Sequence, residues 1–172
     1  MNVILINGSP NAKGCTYTAL EEVAKTLEAE GIETEIIHVG NKNIRIVIGS
    51  PVYYASANGT LISFLDRLFY SLDADKTMKV GAAVVSARRA GTTATFDELN
   101  KYFTISNMPI VSSQYWNMVH GYTPEDVKKD EGLQIMRVLG KNMAFLIKSI
   151  QLGKEKYGLP KKEQHVFTPF IR

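Results

Sequence analysis

The chain has 172 residues, enough for one domain and short of two. With 45% hydrophobic and 22% charged residues it excludes a disordered or fibrous chain, and a net charge of +3 without any Lys/Arg block points to no nucleic-acid or membrane partner. The single cysteine, Cys15, excludes an internal disulfide and any multi-cysteine metal site, so a reducing, cytoplasmic setting is expected. No window reaches the roughly 20 apolar residues of a membrane span. His38, His120 and His165 lie too far apart for a helical ligand pair, so no metal is expected.

The order of elements is α/β. Val3–Ile6 is a continuous apolar run, as in a central strand covered on both faces. A helix follows with Leu20, Val23, Ala24 and Leu27 on one face, a Thr18…Glu21 capping-box pattern at its start and Gly31 at its end. Strand two is expected at Glu35–Val39 and strand three at Ile46–Ser50. The next helix carries Leu61, Ile62, Leu65, Leu68 and Phe69 inward. Strand four is expected at Val80–Val85, followed by a helix through Phe96, Leu99 and Phe103 with a second box pattern at Thr95…Glu98. Strand five is expected at Pro109–Val111. The last helix opens at Thr123-Pro124-Glu125-Asp126, carries Leu133, Met136, Met143, Ile147 and Ile150, and stops at Gly158-Leu159-Pro160.

Five strands alternating with helices suit a three-layer, doubly wound, flavodoxin-like parallel sheet of order 2-1-3-4-5. One span resists this. Only Gly40–Arg45 separate strands two and three, whereas a parallel crossover needs about a dozen residues or more. In that order the two strands flank strand one, so the link must cross about 10 Å and also return along the strand length. The reading is one domain over 1–172 from which a crossover segment between about 45 and 46 is missing.

Ligands of such sheets bind beyond the carboxyl ends of the strands. The loop Gly8–Thr18 leaves strand one for a helix N-terminus and is rich in hydroxyls and glycine, a composition that cradles phosphate; the alternative is an ordinary capped turn. It is no Walker A loop, because five residues separate Gly8 from Gly14 and Cys15 stands where Lys is required. The loop Ser50–Gly59 sets Tyr53 and Tyr54 past strand three, where tyrosines can lie against a planar ring, although paired tyrosines also serve plain packing. The loop Ser86–Thr93 brings Arg88 and Arg89, either a solvated pair or donors to an anionic ring system. All three loops are expected on one rim.

Asn7-Gly-Ser-Pro10 with Gly14-Cys-Thr16, Gly49-Ser-Pro-Val-Tyr-Tyr54 with Phe64-Leu-Asp-Arg67, and Ser86–Thr93 resemble the flavodoxin-like NAD(P)H-dependent FMN reductases, in the branch that includes the flavoprotein half of iron-sulfur flavoproteins. The resemblance runs from Met1 to about Ile150. It implies FMN as cofactor, its phosphate surrounded by Ser9, Asn11, Lys13, Gly14, Cys15 and Thr16. It implies Pro51, Val52, Tyr53 and Tyr54 along one edge of the isoalloxazine and Ser86, Ala87, Arg88, Arg89 and Gly91 along another. Relatives carry a longer stretch, often with cysteines, where this chain is short, and no cluster is assigned here.

The activity so implied is hydride transfer from NAD(P)H to FMN and onward electron transfer to a small acceptor such as a quinone, a nitro or azo compound or a flavin. No side chain need act as acid or base, with Arg88 and Arg89 as electrostatic tuners. The alternatives are a flavodoxin-type electron carrier, disfavoured by the positive net charge, and a redox-sensing flavoprotein acting through Cys15. The aromatic segment Ser112–Gly121 suits either the flavin's surroundings or a subunit interface; by resemblance a homodimer or homotetramer is expected, with Trp116 or His120 completing a neighbour's pocket.

Overall fold

The computed structural model describes residues 2–7, 13–38, 45–71, 75–164 and 166–168. They divide into two compact units, Met1–Ile44 and Arg45–Arg172, each built on its own parallel sheet. The first sheet has two strands and the second three, the latter in chain order.

In the first unit, β1 (Asn2–Asn7) pairs parallel with β2 (Glu33–His38) from Asn2↔Glu33 to Asn7↔His38, and α1 (Cys15–Ala29) connects them. β2 begins two residues earlier than expected, and Val39 falls outside the described residues. α1 starts at Cys15 with Gly14 as its cap rather than at a Thr18…Glu21 box. The Thr18 hydroxyl donates back to the Gly14 carbonyl at 3.4 Å, and Glu21 accepts from Tyr17 and Lys25, so both partners of the expected box are spent inside the helix. Ala24 is buried and Leu20 and Leu27 are half-buried, but Val23 is exposed, which narrows the expected stripe. Gly31, at φ +77°, follows the helix as the left-handed residue its sequence position suggested.

The second unit runs β3 (Ile46–Pro51), α2 (Gly59–Ser71), β4 (Gly81–Ala87), α3 (Thr92–Ile105), β5 (Met118–His120), α4 (Pro124–Lys129) and α5 (Gly132–Tyr157). Alternation along β4 divides the core. Ala83 and Val85 face Leu65, Leu99 and Phe103 of α2 and α3, while Ala82 joins Val80, Val111 and Leu139 of the α5 side. This unit is therefore three-layered, with helices on both faces of its sheet.

Strand five is corrected. Pro109–Val111 makes only a single bridge, Ile110↔Gly81, and the ladder resumes at Met118↔Val85. Between these points the chain leaves the sheet and returns at Asn117, whose carbonyl accepts from Val85 N–H at 3.0 Å and whose buried Nδ2 donates to the Val111 carbonyl at 3.3 Å. The short apolar run marked the start of the strand and hid its resumption.

The last helix is also corrected: it is two. Thr123 and Asp126 form the reciprocal capping box with Pro124 in the first turn, as the sequence suggested, but α4 ends after six residues. Asp130 adopts an extended backbone and its carboxylate accepts from Glu131 N–H at 2.8 Å, a local bond that competes with the helix. α5 restarts at Gly132, where a Cβ would stand 2.8 Å from Val119 Cγ1. Gly132, Ile135 and Leu139 are its buried residues; Met136, Met143, Ile147 and Ile150 pack beside the core, and Gly158 at φ +73° caps the end.

Beyond α5 the tail returns over the molecule, and Lys162 Nζ meets Asp75 Oδ1 at 2.7 Å. That ammonium, with the hydroxyl and N–H of Thr77, holds the Asp75 carboxyl well below the usual range. A lowered folded-state value makes the contact a stabilising one above the unfolded carboxylate pKa, near pH 4, and weakens it as the pH falls further. Both groups are exposed, so the effect is local. NMR relaxation of residues 159–164 should show the tail held at pH 6 and loosened at about pH 2, with Lys162→Ala loosening it at both.

Candidate functional site

Parallel strands deliver their carboxyl ends to one edge of a sheet. In the second unit the register sets Pro51 beside Ser86 and Ala87 beside His120. The segments that leave β3, β4 and β5 therefore share a rim, and two of the three expected loops meet there. Ser9 and Asn11 of the remaining loop lie outside the described residues. Lys13, Cys15 and Thr16 are exposed and Gly14 half-buried at the start of α1, in the first unit.

After β3 the chain makes a tight turn. Tyr53 N–H donates to the Ser56 carbonyl at 2.9 Å and Ser56 N–H to the Tyr53 carbonyl at 3.0 Å. The two residues between, Tyr54 and Ala55, have φ of 53° and 60°. This is the mirror-image hairpin turn, whose central positions favour Asn and Gly, so Tyr-Ala occupies it under strain. Tyr54 is fully exposed at the tip and Tyr53 half-exposed beside it.

Three groups fix the turn from behind. Val52 N–H donates to Ser86 O at 3.0 Å, extending the ladder. The buried Ser50 hydroxyl accepts from Asn58 N–H at 2.9 Å. Glu98 of α3 accepts from the Ser56 hydroxyl on both carboxylate oxygens, at 3.0 and 2.9 Å, and from Ala57 N–H at 2.7 Å. The Thr95…Glu98 box expected from sequence is thus absent: Thr95 donates to the Gly91 carbonyl at 3.1 Å, and α3 begins at Thr92 with Gly91 as its cap.

Gly91 is required twice over. Its φ is +94°, and a Cβ there would lie 2.9 Å from Val52 Cγ1 and 3.1 Å from Ala55 Cα. The loops after β3 and β4 therefore touch. Among the described residues, none of the N–H groups from Arg88 to Gly91 donates within the chain. Arg88 and Arg89 are exposed, and the Arg88 guanidinium sits 5.2 Å from the centroid of the exposed Tyr122 ring, carried by the loop after β5. The rim thus combines aromatic faces, two cations and a row of uncommitted backbone donors.

Sequence reading missed Glu98, Ser56 and Tyr122 as parts of this rim. Glu98 matches a helix-start pattern, and only the packing of α3 against the turn shows its partner. In the excursion before β5, Tyr115 and Trp116 are half-exposed with ring centroids 5.3 Å apart.

A separate open cavity of about 1130 Å³ lies at the far ends of α2 and α3, between Tyr70, Ile105 and the tail at Lys162. Its Tyr102 donates to Asp66, and burial first, then that carboxylate, pushes the phenol up to about 12. It lies at the amino-end side of the strands, away from the rim. Among the described residues no group of three His, Cys, Asp or Glu is placed to hold a metal, and no helix is long and apolar enough to cross a membrane.

The model of a family described as NADPH-dependent FMN reductase matches residues 1–46 and 45–123 of the chain. An iron-sulfur flavoprotein of Methanocaldococcus jannaschii is 28% identical over 192 aligned residues, spanning 88% of this chain and all of the relative. Among solved structures, a flavodoxin, WrbA-like protein from Agrobacterium tumefaciens is 17% identical, with 83% of this chain and 98% of that one covered at a TM-score of 0.46. A flavodoxin from the domain Archaea is 17% identical, with 86% and 99% covered, also at 0.46.

Proposed function

Because the chain belongs to the NADPH-dependent FMN reductase family, we propose that it takes hydride from NAD(P)H through bound FMN and passes electrons to a small acceptor, a quinone, a nitro or azo compound or a flavin. That it is a flavin-dependent oxidoreductase follows from the family. The observation that carries the finer reading is the rim: exposed Tyr53 and Tyr54 on a strained turn, together with Arg88, Arg89 and backbone N–H groups that have no acceptor among the described residues.

These residues fit a flavin. A fully exposed aromatic held on left-handed backbone offers a flat face, and the N–H groups from Arg88 to Gly91, which have no acceptor among the described residues, suit the carbonyl edge of an isoalloxazine. In the other unit α1 begins at Cys15 with Gly14 as its cap and no side-chain cap bond, and the first N–H groups of a helix suit a phosphate. The assignment is then Ser9, Asn11, Lys13, Gly14, Cys15 and Thr16 for the phosphate, Pro51, Val52, Tyr53 and Tyr54 for one ring edge, and Ser86, Ala87, Arg88, Arg89 and Gly91 for the other.

FMN, when bound, supplies the hydride and electron chemistry. The chain's share is placement and charge. Arg88, stacked on Tyr122, holds a fixed cation at the rim, while Arg89 presents a second one toward solvent. Cations there favour the more negative state of a bound ring and the phosphates of an incoming dinucleotide.

The domain reading is also a proposal: one flavodoxin-like domain from which a crossover between about 45 and 46 is missing. The family match divides at that point, as do the two compact units. The alignment to the Methanocaldococcus relative is longer than the whole chain, so that protein has residues without a counterpart here. The intact mass of the natural protein decides this. A homodimer or homotetramer in the cytoplasm completes the proposal.

The test is spectroscopic. Purified protein should carry or take up FMN, and anaerobic NADPH should bleach its visible band within seconds. Protein that binds FMN without bleaching would be an electron carrier instead; protein that takes up no FMN would overturn the assignment.

A further inference from the structure

We propose that Glu98 is a positioning residue for the flavin rim: its carboxylate holds Ser56 and Ala57 so that the Tyr53–Ser56 turn stays in the left-handed form that presents Tyr54. The inference rests on the FMN reading above, but its geometry stands apart from it. Two consecutive residues with side chains, Tyr54 and Ala55, have positive φ, a conformation that strains each of them because Cβ crowds the neighbouring carbonyl oxygen. The turn's own contribution is a pair of backbone bonds between Tyr53 and Ser56. Beside the Ser50–Asn58 bond, the restraint at its exit comes from across the fold, where one carboxylate on α3 accepts two donors, the Ser56 hydroxyl and the Ala57 N–H, at 2.7 to 3.0 Å. Bonds to an ionised acceptor are about twice as strong as neutral ones. Gly91, at the start of the same helix, lies against Ala55 Cα, so α3 supports the turn at two points.

If Glu98 offsets strain, then relieving the strain should replace it. Glycine at position 55 adopts the left-handed form without penalty. Glu98→Ala should therefore weaken FMN binding, read by fluorescence titration of apoprotein, by about tenfold, the scale of one charge-assisted bond. Glu98→Gln, which keeps an acceptor for Ala57, should stay within about threefold of wild type, at most about half of that bond in free energy. Adding Ala55→Gly to Glu98→Ala should recover most of the loss. In flavin-free protein, amide exchange at Ser56 and Ala57 should speed up in Glu98→Ala and not in Glu98→Gln.

A Glu98→Ala protein whose turn amides and FMN affinity match wild type overturns the proposal. So does a lowered melting point with unchanged affinity, or an affinity loss that Ala55→Gly leaves in place. Faster exchange at Ser56 and Ala57 in a chain whose wild type takes up no FMN supports the pin and overturns the flavin reading alone.

Discussion

Phe103→Ala should lower the free energy of unfolding by about 3–5 kcal/mol, the range for removing a fully buried aromatic side chain. Phe103 is wholly buried on the inner face of α3, with its ring 6.2 Å from that of Phe69, in the cluster that also holds Leu65, Leu99 and Val85. Its fit depends on the opposite strand. A Cβ at Gly81 would stand 2.5 Å from Phe103 Cδ1 and 2.7 Å from Cε1, so the first residue of β4 is glycine because the ring occupies that space. Gly81→Ala should then cost about 1–3 kcal/mol through overpacking. The two changes are coupled: adding Gly81→Ala to Phe103→Ala should cost less than adding it to wild type, because the obstructing ring is gone. Equilibrium urea denaturation of the four proteins checks this, and strict additivity would refute the direct contact. A loss of this size is a large share of a typical domain's 5–15 kcal/mol, so the alanine variant should be partly unfolded on modest warming.

Replacing Arg88 and Arg89 together by alanine should slow NADPH-dependent bleaching by about a hundredfold, the usual effect of removing a donor aimed at developing charge. The melting temperature should barely move. Both side chains are exposed, and the packing that Arg88 contributes is one contact with the exposed Tyr122 ring, about 0.5–1 kcal/mol at such a site. The single variants separate the two roles. Arg88→Ala removes a cation whose position Tyr122 fixes and should act on the rate at saturating NADPH, whereas Arg89→Ala removes the unstacked one and should raise the NADPH concentration needed. Wild-type turnover in the double variant would count against any electrostatic role for the pair.

Much of this molecule is legible in its sequence where local chemistry and packing agree. The apolar runs at Val3–Ile6 and Ile46–Ile48 are strands, the stripe through Leu61, Leu65 and Phe69 lines the core, and Thr123-Pro124-Glu125-Asp126 opens a helix as its residue types dictate. What escaped the sequence depended on contacts distant along the chain. Glu98 reads as a cap partner for Thr95, three residues away, yet it bonds to Ser56, 42 residues away. Met118–His120 reads as loop because three residues carry too little pattern, and only their register with Val85–Ala87 makes them a strand. The break between α4 and α5 was hidden by apolar periodicity on its far side, while its cause is a short Asp130 bond and the proximity of Gly132 to Val119. The rim followed the same rule: Tyr53, Tyr54, Arg88 and Arg89 stood out by type and position, whereas the group that shapes their turn did not.

The interrupted course of β5 has a consequence for the protein's behaviour at high concentration. The three-stranded sheet ends at β5, and an end strand with a long row of free N–H and C=O groups is a template on which other chains can add. Here the row is cut into a single bridge at Ile110 and three residues from Met118, with the chain swung away between them and stitched back by Asn117. Neither fragment is long enough to seed cross-strand growth. The same detour that displays Tyr115 and Trp116 therefore also blunts this edge of the sheet against fibril-like association.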